Sequence, residues 1–262
     1  MNVLVAGASG GIGSSVVNYF SKNGIKVFAL DLMEKEFGEN VEFIKANLTD
    51  ISDLEGAFLR LKSDGVVLDA IVNVAGVFEI DSFIEADYEA LRRVFEVNFM
   101  GAITLNKIMH PLLKENGRIV VTTSDVAPLD PLPFNGIYSV SKTALDAYTQ
   151  SLRQELNLIG QKVITIRPGA FDTALSRGSL VKTELLMKKT ELYKKQSARF
   201  YSLVKKFMGK PLSTEKAVKI YYKAVTKKRP KIIYKKHPSF LLKLMSILPK
   251  RLQCFIIKKL LK

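Results

Sequence analysis

The chain has 262 residues, 47% of them hydrophobic, with a single cysteine, Cys254, and a formal net charge of +15. This length supports one α/β domain with a substantial core, while the composition excludes an internal disulfide and, with no run of 18 apolar residues, a bilayer-spanning helix. The charge is uneven, with 12 Lys and Arg against 20 Asp and Glu in residues 1–150 but 28 against 5 in residues 151–262, which argues against a nucleic-acid partner.

In chain order, Asn2–Ala6, Lys26–Leu30, Val41–Ala46, Leu68–Asn73, Gly117–Thr123 and Lys162–Arg167 read as short, β-branched strands, apolar on both faces. Gly13–Asn23, Ile51–Lys62, Asp87–His110 and Tyr138–Leu158 read as helices between them. Alternating strands and helices predict a doubly wound parallel sheet of Rossmann type. Only about ten residues, Gly38 among them, separate Asp31 from Val41, too few for a full crossover helix. The expected domain is 1–234, with a substrate lid at about 174–212 and a basic amphipathic tail at 235–262. The opening strand and turn leave no room for a leader, which with the lone cysteine predicts a reduced, cytoplasmic setting.

The first strand runs into Ala6-Gly7-Ala8-Ser9-Gly10-Gly11-Ile12-Gly13 and then a helix. Glycines permit close approach to a pyrophosphate, and the helix N-terminus offers N–H groups to the anion. The alternative is a tight structural turn. The second strand ends at Asp31, whose carboxylate suits the two adenosine ribose hydroxyls and repels a 2′-phosphate, so NAD is expected over NADP.

Tyr138 and Lys142 lie at i and i+4 at the start of a helix, so phenol and ammonium should be neighbours. The cation is expected to lower the Tyr138 pKa and suit the phenol to proton transfer. A second Y-x-x-x-K string, Tyr201 to Lys205, sits among lysines and reads as a solvated amphipathic helix. Ser124, 14 residues before Tyr138, could hold a carbonyl oxygen; Thr123 and Asp125 are its competitors. Asn98 is locally unfavourable inside a helix and wants a reason, either a functional one or a water-satisfied kink.

Together these residues resemble the classical short-chain dehydrogenase/reductase family over roughly residues 1–175. Its T-G-x-x-x-G-x-G turn is matched with Ala6 for Thr, its N-N-A-G turn by Asn73-Val74-Ala75-Gly76, and its P-G-x-x-x-T motif by Pro168-Gly169-Ala170-Phe171-Asp172-Thr173. The resemblance implies a catalytic tetrad of Asn98, Ser124, Tyr138 and Lys142. In it Tyr138 is the acid/base, Lys142 also binds the nicotinamide ribose, and Asn98 positions a relay water. It further implies cofactor contacts from Gly7, Ser9, Gly11, Ile12, Gly13, Asp31, Asn47, Leu48, Asn73, Ala75, Gly76, Pro168, Gly169 and Thr173. No metal is expected. Homo-oligomers, dimers or tetramers, are implied by the same resemblance.

Beyond Thr173, large apolar residues among lysines (Leu180, Leu185, Leu186, Tyr193, Phe200) face an apolar loop at Val126–Phe134. This pairing predicts a hydrophobic alcohol or ketone substrate (steroid, retinoid or lipid-like), or else ordinary lid packing. From Lys227 to Lys262 there are 12 basic residues and no acidic one. Two helical runs follow, Phe240–Leu248 and one from Pro249 with Leu252, Phe255, Ile256 and Leu260 on one face. They predict either peripheral contact with an anionic membrane surface or a helix covering its own domain. An NAD-sensing module or a membrane-surface scaffold are the non-catalytic alternatives.

Overall fold

The computed structural model describes residues 1–169, 174–207, 213–235 and 240–262. The strands are β1 (Asn2–Ala6), β2 (Lys26–Asp31), β3 (Val41–Lys45), β4 (Leu68–Asn73), β5 (Leu113–Thr122), β6 (Lys162–Arg167) and β7 (Ile233–Lys235). They form one parallel sheet in the order β3-β2-β1-β4-β5-β6-β7. The strand order reverses between β1 and β4, the place where doubly wound sheets open a ligand crevice. The short connection after β2 carries no helix, as its length requires. The edge strand β7 did not stand out in the sequence, because Ile233-Tyr234-Lys235 is too short to show alternation.

Helices α1 (Gly11–Lys22), α2 (Ile51–Ser63), α3 (Tyr88–Phe95), α4 (Gly101–Met109), α5 (Gly136–Asn157) and α8 (Thr214–Thr226) cover the sheet. Alternation of side chains along each strand explains the two cores. Val3 and Val5 pack with Val16, Val17 and Phe20 of α1 and Tyr221 of α8. Leu4 and Ala6 point the other way, to Leu54 of α2, Leu105 of α4 and Leu145 of α5. Strand stretches covered on both faces must be apolar, and residues 3–6, 27–30, 70–72 and 119–121 are.

A third, smaller cluster lies outside both cores. Helices α6 (Ala174–Lys189), α7 (Lys194–Phe207), α9 (Phe240–Ile247) and α10 (Lys250–Leu261) occupy the stretch read from the sequence as lid and tail. Leu186 of α6, Phe200 of α7 and Leu261 of α10 meet Ile80 and Phe134 from the loops after β4 and β5. The tail is therefore docked through α10, though not by the expected stripe. Gln253 and Leu261 are buried, whereas Leu252, Phe255 and Leu260 are exposed. The reason is polar: Asp130 accepts a hydrogen bond from Gln253 Nε2 at 2.8 Å and pairs with Lys250, which turns the face of Gln253, Ile257 and Leu261 inward.

Candidate active site

A cleft of about 1120 Å³ opens along the carboxyl ends of β1 to β6. The loop after β1 contributes Gly7 to Gly13, the end of β2 Asp31, and the segment after β3 Asn47 and Leu48. Ala75, Gly76, Val77 and Phe78 follow β4, Ser124 follows β5, and Pro168 and Gly169 follow β6.

The glycine turn is shaped for close approach. Gly7 has φ +83°, and a Cβ there would lie 2.5 Å from the Ala75 backbone. A Cβ on Gly13 would lie 1.9 Å from the Gly7 carbonyl oxygen. These two glycines hold the turn flat against the start of α1, whose N-cap, Gly10, offers no side-chain cap. The helix thus presents unsatisfied N–H groups to the cleft, which suits a pyrophosphate. Asp31 is oriented by the same turn, accepting from Ser9 N–H at 2.9 Å and Met33 N–H at 2.9 Å. Each carboxylate oxygen keeps lone-pair capacity for the ribose hydroxyls. The residues present therefore fit a nicotinamide dinucleotide.

Tyr138 and Lys142 stand one turn apart on α5, and Ser124 sits beside the phenol on the loop after β5. Lys142 is buried and donates to the Thr122 carbonyl at 3.2 Å. A Cβ on Gly76 would come within 3.2 Å of Lys142 Nζ and 3.3 Å of Asn98 Oδ1, so a side chain there would crowd both groups. Asn98 lies in a π-helical turn, Glu96–Met100, between α3 and α4. Its Oδ1 accepts from Val77 N–H at 2.7 Å, and its Nδ2 donates to Val77 O at 2.9 Å and Ser141 Oγ at 3.0 Å. The misfit Asn thus has its reason: it bridges the β4 loop to α5, with protein partners rather than water, across a helix irregularity of the kind common at functional sites.

The family model described as short chain dehydrogenase matches residues 1–183. The chain belongs to the short-chain dehydrogenase family. Its curated relatives include estradiol 17-beta-dehydrogenase 2 of Mus musculus, 30% identical over 66% of this chain, which spans about half of that enzyme (49%). The 1-hydroxy-2-glutathionyl-2-methyl-3-butene dehydrogenase of Rhodococcus is 32% identical over 67% of this chain and 80% of its own length. A short-chain dehydrogenase from Burkholderia cenocepacia, solved in complex with NADP, superposes with a TM-score of 0.72 over 100% of this chain and 97% of its own, at 21% identity.

Of the residues read from the dehydrogenase's sequence, Gly7, Ser9, Gly11, Ile12, Gly13, Asp31, Asn47, Leu48, Ala75, Gly76, Ser124, Tyr138, Lys142, Pro168 and Gly169 all border the cleft. Asn73 does not: it is buried, and its amide donates to Asn106 Oδ1 at 2.8 Å, tying β4 to α4. Asn98 stands behind Gly76 rather than in the cleft wall. Thr173 lies outside the described residues. Of the competitors of Ser124, Thr123 spends its hydroxyl on Asp146 at 3.0 Å, and Asp125 borders the cleft next to Ser124. The second string, at Tyr201, lies on α7, away from the cleft lining.

One electrostatic expectation is corrected. The Tyr138 phenol is not lowered by its neighbour; burial pushes it up to about 12, with the Ser124 hydroxyl pulling down and Asp125 adding to the rise. Burial likewise lowers the Lys142 ammonium to about 8. Sequence spacing places two groups on one helix face, but the ammonium turns to the Thr122 carbonyl and the surrounding protein decides both equilibria. Sequence reading missed Phe78, Asn135 and Ser179 in the cleft wall. Phe78 packs edge-to-face on Tyr138, with centroids 4.8 Å apart. Asn135, three residues before Tyr138, has a buried Oδ1 without a partner among the described residues. No periodicity or motif marks such residues in the chain, whether on a loop, as Phe78 and Asn135 are, or on α6, as Ser179 is.

Proposed function

We propose that this dehydrogenase interconverts a secondary alcohol and a ketone of an apolar molecule, using NAD. The observation that carries the reading is the convergence of Tyr138, Ser124 and Lys142 at one end of the cleft that also holds the glycine turn and Asp31. Bound nicotinamide supplies or accepts the hydride. In the reducing direction Tyr138 donates its proton to the carbonyl oxygen and Ser124 Oγ holds that oxygen by a hydrogen bond. The Lys142 cation stabilises the phenolate left behind and holds the nicotinamide ribose. Asn98 fixes the Val77 backbone and, through Ser141, the α5 turn that carries both groups. A phenol that keeps its proton at neutral pH is ready to give it.

Asp31 supports NAD, because its carboxylate stands where a 2′-phosphate would need a cation; the NADP in the Burkholderia relative marks the alternative. Val77, Phe78 and Val126 in the cleft wall support an apolar substrate, as does the steroid relative. The test is turnover of steroid, retinoid and aliphatic alcohols with NAD and NADP. Tyr138→Phe should cost roughly 10²–10⁴-fold in kcat while NAD still binds. Full activity in Tyr138→Phe overturns the reading.

Two partner proposals accompany this. A homo-oligomer, dimer or tetramer, is checked by light scattering. An anionic membrane surface is the other, and the outer faces of α9 and α10 support it. There Leu244, Ile247, Leu252, Phe255 and Leu260 are exposed beside Lys243, Arg251, Lys258 and Lys259. No helix among the described residues is long and apolar enough to cross a membrane, so this contact would lie in the interface plane.

A further inference from the structure

The loop after β4 joins the acid/base to the lid. Phe78 and Tyr138 meet with ring planes at 67°, so the Phe78 ring limits how the phenol can tilt away from Ser124. Past Phe78 the loop is strapped to the lid at three points. Lys182 on α6 pairs with Glu79 at 2.7 Å. Lys189, at the end of α6, pairs with the buried Asp81 at 2.8 Å. Glu85 accepts from the Thr190 hydroxyl at 2.5 Å and from the N–H groups of Glu191 and Leu192 at 2.8 and 3.0 Å.

The opposite side of the loop is also held. Asp81 N–H donates to Phe134 O at 2.9 Å, and Phe134 keeps a φ of +64°, an unusual conformation for a bulky residue. The Phe134 ring is clasped by Tyr193 and Phe200 of the lid region, 5.4 and 5.3 Å away. Ionic hydrogen bonds with partly buried partners are stronger than surface pairs. Their grouping on one short loop gives that loop a single set position while the lid is in place.

We propose that Phe78 is the positioning residue of the Tyr138 phenol, and that helix α6, through Glu79 and Asp81, and the turn that follows it, through Glu85, hold Phe78 in place. The inference rests on the reading of Tyr138 as the acid/base. Seating of the lid over a substrate and alignment of the phenol then become one event. If Phe78 were mere packing, its removal would cost stability and lower the phenol's proton affinity through lost burial alone, and loosening its loop with the ring still present would leave the phenol unchanged. As a positioning residue that also screens the phenol from water, it must change both the proton affinity and the turnover. The groups that act on the Tyr138 phenol are Ser124 and Asp125 after β5 and Tyr221 on α8, of which Asp125 carries charge, while Lys142 on the same helix turns its ammonium to the Thr122 carbonyl.

The test compares Phe78→Ala, Phe78→Leu and the double variant Lys182→Met/Lys189→Met with the wild type. Tyrosinate absorbance is followed from about pH 9 to about pH 11, with the Tyr138→Phe protein as background, so that a titration near the ordinary tyrosine value can be seen. In Phe78→Ala, Tyr138 should begin to ionise in this range, where the wild-type phenol stays protonated. Its kcat should fall roughly ten- to hundredfold, with the NAD dissociation constant unchanged. Phe78→Leu should recover part of both effects, and the double lysine variant should move both in the same direction by less. An unchanged Tyr138 titration in Phe78→Ala and Phe78→Leu overturns the proposal. So does a double lysine variant that alters only the melting temperature. Titration and NAD binding need no turnover, so failure to find a substrate does not decide this test. If Phe78→Ala does not fold, the Leu and lysine variants decide it.

Discussion

Lys142 brings a charge into the interior, and burial answers by lowering its proton affinity to about 8. The unfolded chain keeps an ordinary lysine, near 10.4. Between these values the unfolded state binds more protons, so stability must rise with pH across that window. Lys142→Met removes this titration whatever its constant effect on packing. The stability difference between variant and wild type should therefore shift in favour of the wild type by up to about 3 kcal/mol from pH 8 to pH 10.5. Thermal unfolding across that range checks it, and a pH-independent difference refutes it. At Asp31 the prediction concerns specificity. Asp31→Ala removes the repulsion of a 2′-phosphate and also leaves the N–H groups of Ser9 and Met33 without their carboxylate. The NAD to NADP ratio of kcat/KM should fall by about tenfold, a change of ~1.4 kcal/mol, with both cofactors bound more weakly.

At the scale of elements, the β1–α1 turn tolerates no side chain where it folds on itself. A Gly13 Cβ would meet the Gly7 carbonyl at 1.9 Å, and neither backbone can yield without moving β1 or α1. Gly13→Ala should cost about 1–3 kcal/mol or more and weaken cofactor binding with it. Chemical denaturation and a fluorescence titration with NAD measure the two effects. The tail element makes a different forecast. Leu261 ends the face of α10 that closes the third cluster, and it is 8% exposed. Leu261→Ala should cost about 2 kcal/mol at this partly peripheral site. It should also speed proteolysis within α6 and α7 while leaving the two sheet cores intact, since neither contains a residue of α10. Equal protease resistance of wild type and variant would show that α10 does not hold the lid.

For the whole molecule, charge and topology divide the labour. The sheet and the acidic first half of the chain supply most of the cleft wall, and the basic last part supplies α6, α7, α9 and α10, which with the loops after β4 and β5 build the third cluster. The inner face of α10 packs against α7 and the loop after β5, and Ser246 of α9 accepts from Asp130 N–H of that loop, so the outer faces of α9 and α10 are what the tail offers a partner. If that partner is an anionic bilayer, each lysine or arginine near it contributes ~1 kcal/mol. The protein should then sediment with anionic liposomes at low salt, release as salt rises, and ignore neutral ones. Indifference to liposome charge would remove the membrane from the account.

The nucleotide half was legible because its residues are fixed by short-range physics. The turn from Gly7 to Gly13 needs glycines at set places, buried parallel strands need unbroken apolar runs, and Asp31 must close β2. These constraints act over a few residues and leave their mark in order along the chain. The same holds for the i, i+4 spacing of Tyr138 and Lys142. Tertiary structure decided what depends on distant neighbours. It assigned Asn73 to Asn106, set Asn98 in a π turn against Val77, and raised the Tyr138 phenol by burial where spacing alone predicted the reverse. It chose which face of α10 turns inward through Asp130, a partner more than a hundred residues away. It also placed Phe78 against Tyr138 and fastened its loop to α6. Loop conformation, burial and cross-chain pairing are properties of the packed molecule, and no local pattern encodes them.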